Sequence, residues 1–536
     1  MSETRPGQNS RWIPSLSEMV FVSVMAWLFL GASGPEALLT DGDTGWHIRT
    51  GDYILATHSF PKQDLFSFSK PGQPWFAWEW LSDVIFAGLH KFGGLAGVVL
   101  LAGVLIAATS AVMLRYMVWQ RSDLFVSIMV MLVASSASTV HWLARPHLFS
   151  YFFLAVAIWL LEADRQRSTR WVFALVGLCL VWTNLHGGFL ALLSTLAVYL
   201  VGSAVETVWN QSGRRSWAQT KRYGLLFGLA SAATLVNPYT YHLHRHLVEF
   251  LHSDFILQHV AEFQSPNFRG EGMRYFEVML FAGLAAVPGL LRRKDVTQAL
   301  LLLFWAHAAL LSGRHVLLYV VVAAPVVARE ATLLWERAAK AGVGWLATLK
   351  QVADDYAGGC FHPAGGTARR RAIAWMAPVC VVAMGATLFA GQRSERLRSE
   401  FPKTLFPVDA CTAAESQFTG RRIFTSDQWA DYLIYRYYPK MKVFIDGRSD
   451  FYGPQLGNEY IRVMNSDHAW AQIFDRYRFD LALLPVQWPL ATTIKANPNW
   501  KVKYDDGKAL LLERTGPLAL KPPETAAGTG GAGRKS

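Results

Sequence analysis

About eleven apolar stretches, most of them long enough to cross a lipid bilayer, are spread along the first three quarters of this chain of 536 residues. A membrane-spanning helix needs about 20 mostly apolar residues, because the hydrocarbon core of a bilayer is about 30 Å thick. The stretches lie at 17–38, 92–114, 123–143, 146–163, 170–186, 188–208, 222–238, 274–291, 296–312, 314–330 and 372–391. The pattern predicts an α-helical polytopic membrane protein.

The composition supports a membrane protein. Hydrophobic residues make up 52% of the chain and charged residues only 17%, against about 25% charged residues in ordinary soluble domains. These values exclude a disordered chain and argue against a soluble enzyme. The 4 cysteines are too few and too scattered for a disulfide framework or a cysteine-based zinc site.

Basic residues predict the orientation, because Lys and Arg collect in the cytoplasmic loops of membrane proteins. With a cytoplasmic N-terminus, the inner loops carry Arg115, Arg121, Arg165, Arg167, Arg170, Arg214, Arg215, Lys221, Arg222, Arg292, Arg293, Lys294, Arg329, Arg337, Lys340, Lys350 and the run 369–371. The net charge of +12 is therefore a topology signal, and no nucleic-acid partner is expected. The alternative for the first stretch is a signal peptide, since Arg5 and Arg11 precede it and small residues follow.

An odd number of spans places everything after residue 391 outside the cytoplasm. Residues 1–391 form the predicted transmembrane domain, with a first outer loop at about 39–91. Residues 392–515 are predicted to be an extracytoplasmic α/β domain, and 516–536 a disordered tail. Alternating patterns predict strands at 422–424, 442–445, 481–484 and 509–512, with helices at 429–437 and 455–477.

Polar and ionisable residues collect at the predicted outer ends of the spans, where each is a functional candidate because charge is costly at membrane depth. The first outer loop contains Asp41, Asp43, His47, Glu79 and Asp83. Later outer ends supply Arg145, His147, Asn184, His186, Arg314 and His315. Acids from one loop thus face basic and imidazole groups from several others, and this convergence predicts one site at the outer surface.

Each group also has a structural interpretation. Asp41 and Asp43 are typical helix N-caps, and Glu79 with Asp83 fits a solvated helix face. Arg145 fits a side chain that reaches toward lipid headgroups, and the turn at 184–188 fits a packed polar turn. The histidines His242, His244, His246, His252 and His259 are spaced for a strand, yet they lie in a helical pattern, which argues against a metal site there.

Seven segments give the sequence a resemblance to the GT-C superfamily of membrane glycosyltransferases. The superfamily includes protein O-mannosyltransferases and the catalytic subunit of oligosaccharyltransferase, and the resemblance runs through most of residues 17–515. The segments are DGDTGWHIRTGDYIL (41–55), WEWLSD (78–83), ARPHLFS (144–150), NLHGGF (184–189), NPY (237–239), EFQSPNF (262–268) and VFIDGRSDFYG (443–453).

The resemblance implies an inverting transfer of a sugar from a polyprenyl-phosphate donor on the outer face of the membrane. It also implies a catalytic base among the carboxylates of the first outer loop. Asp43 and Asp41 both match that position, and the motif does not decide between them; we choose Asp43. Residues 426–433 are loosely similar to the acceptor-reading motif of oligosaccharyltransferase, but Ala430 and Leu433 replace a Trp and a Gly, so sequon reading is not supported.

The same residues suggest a mechanism. A hydroxyl acceptor needs a base, and an ionised Asp is suitable if its surroundings tune it. Two groups of side chains are expected to bind the substrates. The expected donor-phosphate ligands are Arg145, His147, Arg314 and His315, and the other substrate-binding residues are His47, Glu79, Asp83, Asn184 and His186. No cofactor is required, although a divalent cation, Mg²⁺ or Mn²⁺, on Asp41 and Glu79 is the alternative source of positive charge.

The expected partners are membrane lipids, a polyprenyl-phosphate-linked sugar and a glycan, lipid or protein acceptor. The expected location is the bacterial inner membrane, with many spans and an extracytoplasmic C-terminal domain. Two other functions remain open. One is a transporter or flippase for a lipid-linked or anionic substrate, although no internal repeat is visible. The other is a non-catalytic membrane assembly protein, in which the outer domain binds partners.

Overall fold

The computed structural model describes residues 15–209, 217–341, 344–361, 375–393 and 397–517. It divides into two compact units. The first unit comprises Met1–Lys62 and Trp75–Pro402, and the second comprises Gln63–Pro74 and Lys403–Ser536. The predicted boundary at 391/392 thus moves by about ten residues, and the first outer loop contributes residues 63–74 to the second unit. Most of the predicted tail, from 518 onward, lies outside the described residues.

The first unit is helical. Its α-helices are α1 Leu16–Leu30, α2 Asp43–Thr57, α3 Trp80–Trp119, α4 Leu124–Ser138, α5 His147–Gln166, α6 Ala174–Leu185, α7 Phe189–Trp209, α8 Trp217–Ala233, α9 Tyr241–Leu251, α10 Asp254–His259, α11 Met273–Arg292, α12 Val296–Leu311, α13 Val316–Lys340, α14 Gly344–Phe361 and α15 Met376–Ala390. Short 3₁₀ turns lie at Pro35–Leu39, Thr139–His141, Arg170–Phe173, Ala261–Phe263, Gly313–His315 and Gly391–Arg393.

Every predicted apolar stretch overlaps a helix of this unit. By length and composition, six helical segments of the described chain are able to cross a membrane. These are Trp80–Trp119, Leu124–His141, His147–Gln166, Phe189–Trp209, Met273–Arg292 and Gly313–Lys340. Four shorter apolar helices lie at Leu16–Leu30, Arg170–Leu185, Val296–Leu311 and Met376–Ala390. The polytopic helical class is therefore supported, whereas the number of about eleven spans stays a prediction.

Helix α3 is two helices in one. Gly93 and Gly94 have non-helical dihedral angles, and Gly94 has a φ of 59°, a value that glycine tolerates because it has no Cβ. The break separates a first part that carries Ser82 and Asp83 from a second, apolar part. The second part begins close to the start of the apolar stretch predicted at 92–114.

The second unit is an α/β domain. It contains α16 Val408–Ala413, α17 Glu415–Phe418, β1 Ile423–Phe424, α18 Asp427–Tyr437, α19 Ser449–Met464, α20 Trp470–Tyr477, β2 Leu481–Pro485, α21 Pro489–Lys495, β3 Trp500–Asp505 and β4 Ala509–Arg514. The strand order is β1-β2-β4-β3, with β1 and β2 parallel and the other pairs antiparallel. Strands β2 and β4 are apolar and mostly buried, and pair Leu483 with Leu511.

Two predictions for this unit are wrong, namely the strand at 442–445 and the single helix at 455–477. Residues 442–445 are not a strand of the sheet, because Val443 pairs instead with the loop segment 63–74: Phe68 N–H donates to Val443 O, and Val443 N–H donates to Phe66 O, both at 2.9 Å. The strand β3, WKVKYD, was not predicted although apolar and polar residues alternate along it; most of its residues are exposed in the structure. The predicted helix 455–477 is two helices, α19 and α20.

Candidate functional site

The first-outer-loop helix α2 begins at the predicted acidic motif. Asp41 Oδ1 accepts the backbone N–H of Asp43 at 2.9 Å, a local turn bond that Asp side chains commonly make. The residue before α2 is Gly42, which has no side-chain cap. Asp41 therefore has one oxygen committed to the backbone, whereas Asp43 begins the helix with its side chain directed elsewhere. The Asp41 bond resembles that of a helix N-cap, so the N-cap interpretation fits Asp41 and does not fit Asp43.

Three carboxylates surround the guanidinium of Arg145. Its Nη1 lies 2.8 Å from Asp41 Oδ2 and 2.6 Å from Glu262 Oε1, and its Nη2 lies 2.7 Å from Asp43 Oδ2. We call Asp41, Asp43, Glu262 and Arg145 the acid–arginine cluster. The structure thus brings the predicted acids directly onto the predicted arginine, although these residues are more than 100 positions apart in the chain.

Backbone hydrogen bonds hold the members of this cluster in place. Ala144 N–H donates to Leu38 O at 2.7 Å, and Thr44 Oγ1 donates to Ala144 O at 2.9 Å. These bonds fix the segment before α5 against the first outer loop. Ser312 Oγ donates to Glu262 O at 2.9 Å, which ties the Glu262 turn to the loop that leads into α13.

The cluster contains three carboxylates and one guanidinium, and the pKa of Asp43 is the one that rises. Burial raises the pKa of Asp43 to about 7; Arg145 lowers it, while Asp41 and Glu262 raise it again. Arg145 is the main reason that the pKa of Glu262 is well below its usual range. Asp43 Oδ1 is buried without a hydrogen bond among the described residues. The nearby Trp46 indole lowers the pKa of Asp43, although its N–H is not well directed toward the carboxylate.

Sequence analysis did not select Glu262 as a site residue. It lies in a short 3₁₀ turn, Ala261–Phe263, between spans. Its only sequence signal is its place in the segment 262–268, one of the segments that resemble the GT-C superfamily. A lone Glu in a loop of a polar outer surface gives no periodicity or spacing from which to infer its role.

The predicted donor-phosphate residues interact electrostatically with one another, Arg145 with His147 and Arg314, and Arg314 with His315, but most of them are also bonded within the protein. His147 Nε2 lies 2.6 Å from His141 O, and His315 Nδ1 lies 3.2 Å from Ala308 O, so both imidazoles bind backbone carbonyls. Arg145 is engaged by three carboxylates. Arg314 packs its guanidinium 4.4 Å from the centre of the Phe263 ring and, within the described ranges, makes no direct ion pair. The role of these four residues as donor-phosphate ligands stays a prediction, in which Arg314 is the arginine without an ion pair within the described ranges.

A second group of buried polar residues lies one helical turn along α2. His47 Nδ1 is 2.6 Å from Asp83 Oδ1, and His47 Nε2 is 3.5 Å from Glu79 Oε2. His186 Nε2 is 3.5 Å from Glu79 Oε1. We call His47, Glu79, Asp83 and His186 the imidazole–acid group. Four predicted substrate-binding residues are thus brought together, and the solvated-helix interpretation of Glu79 and Asp83 is wrong because both are buried.

Close helix packing makes this second group possible. A Cβ at Gly51 on α2 would lie 2.0 Å from Asp83 O, so only glycine allows α2 to approach α3 closely enough for the His47–Asp83 contact. Burial holds the pKa of His47 well below its usual value, and Arg145 adds to this effect. The imidazole is therefore neutral near pH 7.

The tautomer of His186 follows from its hydrogen bonds. Gly188 N–H donates to His186 Nδ1 at 2.9 Å, so Nδ1 carries no proton. Ser150 Oγ lies 2.7 Å from the same nitrogen and accepts the Trp182 indole N–H at 2.6 Å, so its hydroxyl proton points to the imidazole. The remaining proton of His186 is on Nε2, on the side of Glu79.

Asn184 makes hydrogen bonds within the protein, and its role in substrate binding stays a prediction. Its Nδ2 donates to Leu180 O at 2.8 Å and to Val236 O at 2.9 Å. Its Oδ1 accepts the Trp80 indole N–H at 2.8 Å. Both amide protons and the acceptor are used within the protein, so the side chain ties α6 to α3 and to the end of α8.

The residues present do not fit the divalent-cation site on Asp41 and Glu79. Asp41 lies against Arg145, whereas Glu79 lies between His47 and His186. Across the described ranges, no group of three or more His, Cys, Asp and Glu side chains is arranged to hold a metal ion. The histidines of α9 and its neighbourhood bind within the protein; His244 Nε2, for example, lies 2.8 Å from Thr234 Oγ1.

No protein-family model and no curated protein matches the sequence. Solved structures do match. The archaeal oligosaccharyltransferase AglB from Archaeoglobus fulgidus, in complex with an inhibitory peptide and a dolichol-phosphate, superposes with a TM-score of 0.55 and 9% identity. The alignment covers 88% of this chain and 69% of that chain. The apo form of the A. fulgidus enzyme gives a TM-score of 0.51 over the same shares, also at 9% identity.

The chain shares the fold of these archaeal oligosaccharyltransferase structures over 88% of its length. At 9% identity the likeness is one of fold, and it confirms at that level the resemblance read from the sequence segments.

Proposed function

We propose that the protein is an integral-membrane glycosyltransferase that uses Asp43 as its base. The substrate would be a sugar on a polyprenyl phosphate, and the acceptor a hydroxyl group of a glycan, lipid or protein. The observation that carries the proposal is the state of Asp43: a buried carboxylate with one oxygen on Arg145, the other without a hydrogen bond, and a pKa of about 7. A base with such a pKa is half ionised near neutral pH and accepts a proton readily.

Asp43 suits this role better than Asp41. Asp41 has one oxygen on a backbone N–H and the other on Arg145, so both oxygens are already occupied. Asp43 is also the more buried of the two carboxylates. Burial makes its ionised form less stable and therefore more basic. Asp41 and Glu262 support it by raising its pKa.

In the proposed transfer, one bond to the anomeric carbon forms as another breaks. The acceptor oxygen attacks the anomeric carbon and forms the new glycosidic bond, while its proton passes to the Asp43 carboxylate. The bond from the anomeric carbon to the phosphate oxygen breaks, and polyprenyl phosphate leaves with the electron pair. Arg314 is the cation best able to meet that negative charge, because its side chain packs on Phe263 and carries no ion pair among the described residues.

The proposed location is the bacterial inner membrane, with a cytoplasmic N-terminus and the second unit outside the cytoplasm. The solved relative was bound to dolichol-phosphate and a peptide, which supports a lipid-linked donor and leaves the acceptor class to experiment. A periplasmic reporter fused after residue 400 should be active and a cytoplasmic reporter silent. The opposite result would exclude an outer-face reaction.

The function is tested by mass spectrometry of cell-surface glycans in a strain that carries Asp43→Asn. We expect loss of a sugar, with protein abundance unchanged, and a 10²–10⁴-fold loss of transfer from a polyprenyl-phosphate sugar by purified protein. The matched control is Asp52→Asn, on the same helix, whose carboxylate pairs with Arg49 outside the cluster. Intact glycans in Asp41→Asn, Asp43→Asn and Arg145→Ala strains would rule out the enzyme and favour a transporter or an assembly protein.

A further inference from the structure

Arg145 is the shared partner of carboxylates that come from two distant segments of the chain. Asp41 and Asp43 come from the first outer loop, and Glu262 comes from the turn before α11. The three contacts are 2.6–2.8 Å long, the range of charge-assisted hydrogen bonds. A planar guanidinium provides five N–H donors in a fixed fork, which allows it to bind several carboxylates at once.

We infer that the Arg145 guanidinium occupies the position in which a divalent ion would bind the same three carboxylates. Transfer then proceeds without a divalent metal. The inference rests on the proposed function for its catalytic consequence. Its structural part, that Arg145 excludes a metal from these three carboxylates, holds independently of any reaction.

The contacts leave no room for an ion. A hard cation such as Mg²⁺ or Mn²⁺ needs carboxylate oxygens about 2.0–2.2 Å away in a near-octahedral shell. In this cluster Asp41 Oδ2, Asp43 Oδ2 and Glu262 Oε1 all lie against the nitrogens of one guanidinium. An ion would have to displace Arg145, whose segment is fixed by the Ala144–Leu38 and Thr44–Ala144 hydrogen bonds.

Charge supports the same conclusion. Arg145 carries one positive charge against the carboxylates of Asp41 and Glu262, and both Arg145 and Arg314 lower the pKa of Glu262. Ionisation of Asp43 adds a third negative charge around the same guanidinium. A fixed monovalent cation therefore leaves Asp43 as a proton acceptor, whereas a divalent ion would hold it ionised as a ligand. Arg145 is thus a positioning residue that also sets the basicity of Asp43.

The test measures Mn²⁺ binding to purified full-length protein by electron paramagnetic resonance, alongside transfer with and without EDTA. For the wild type we expect no bound Mn²⁺ and transfer unchanged by EDTA. For Arg145→Ala we expect one bound Mn²⁺, because three oxygen ligands lose their shared cation. Arg145→Ala combined with Asp41→Ala is the matched control and should lose that Mn²⁺.

Mn²⁺ bound to the wild type and lost in Asp41→Ala would overturn the inference, as would EDTA inactivation reversed by Mn²⁺. A folded Arg145→Ala protein that binds no Mn²⁺ would also overturn it, since the carboxylates would not converge without the guanidinium. If Arg145→Ala fails to fold, the wild-type measurements decide alone. If the wild type shows no transfer to any acceptor, the proposed function fails, while the Mn²⁺ comparison still decides the role of Arg145.

Discussion

Two arginines of this protein each gather aspartates, and they differ in how completely those aspartates are bonded. Arg145 holds Asp41, Asp43 and Glu262 at the partly exposed end of the first unit, and Arg448 holds Asp446 and Asp64 inside the second unit. Arg448 binds Asp446 with two nitrogens, at 2.8 and 2.6 Å, and Asp64 at 2.8 Å. Three aromatic rings, of Phe66, Phe451 and Tyr452, cover its guanidinium.

Every carboxylate oxygen around Arg448 has a donor. Asp64 accepts from the N–H groups of Phe66 and Ser67 and from the Ser67 hydroxyl, and Asp446 accepts from the Tyr452 hydroxyl at 2.6 Å. Asp43, in contrast, keeps one buried oxygen without a hydrogen bond in the described chain. The comparison shows that the number of donors per oxygen separates an ion network that stabilises a fold from one that can take up a proton.

The largest expected effect is on stability at Arg448. Replacing Arg448 with Ala leaves two buried carboxylates without their cation, which should cost about 3–5 kcal/mol of unfolding free energy in the second unit. Limited proteolysis and thermal unfolding measure it. The matched control is Arg462→Ala, whose exposed pair with Asp467 should contribute little to stability because solvent screens it. Equal losses of unfolding stability in Arg448→Ala and Arg462→Ala would show that the buried ion pairs of Arg448 stabilise the fold no more than an exposed pair does.

The second prediction concerns pH. Because the ionised form of Asp43 is the proposed base and its pKa is about 7, kcat/KM should fall about tenfold per pH unit below that value. The negative charge of Asp41 raises the pKa of Asp43, so Asp41→Asn should move the midpoint to lower pH. A pH–rate profile of the purified protein measures this, with Asp52→Asn as the variant expected to keep the wild-type midpoint. A midpoint that stays fixed in Asp41→Asn would contradict the coupling.

The smallest expected effect is a gain in stability. The pKa of Asp43 is above its ordinary value of 3.8 in the folded state, so the folded protein binds this proton more tightly than the unfolded chain and loses stability as pH rises from about 4 to 7. Asp43→Asn removes that loss and should raise Tm by roughly 2–4 °C at pH 8. The difference from wild type should vanish near pH 4. A lower Tm at pH 8 would show that Asp43 stabilises the fold.

Much of the fold could be predicted because it depends on local patterns. The positions of the apolar helices follow from runs of apolar residues. Strands β2 and β4 were predictable because both are apolar along their length. The segment 442–445 was not, because its backbone pairs with residues from the first outer loop, and no local pattern reports a partner more than 350 residues away.

The candidate site divides in the same way. The sequence by itself determined that carboxylates, imidazoles and arginines lie near the ends of apolar stretches, because charge is tolerated there and not within the hydrocarbon region. Only the tertiary structure decided which of them meet. It joined Glu262 to Arg145, used Asn184 and His147 for internal hydrogen bonds, and left Asp43 rather than Asp41 with an unbonded oxygen. The reason is physical: a residue's pKa and hydrogen bonds depend on neighbours in space, and those neighbours come from distant parts of the chain.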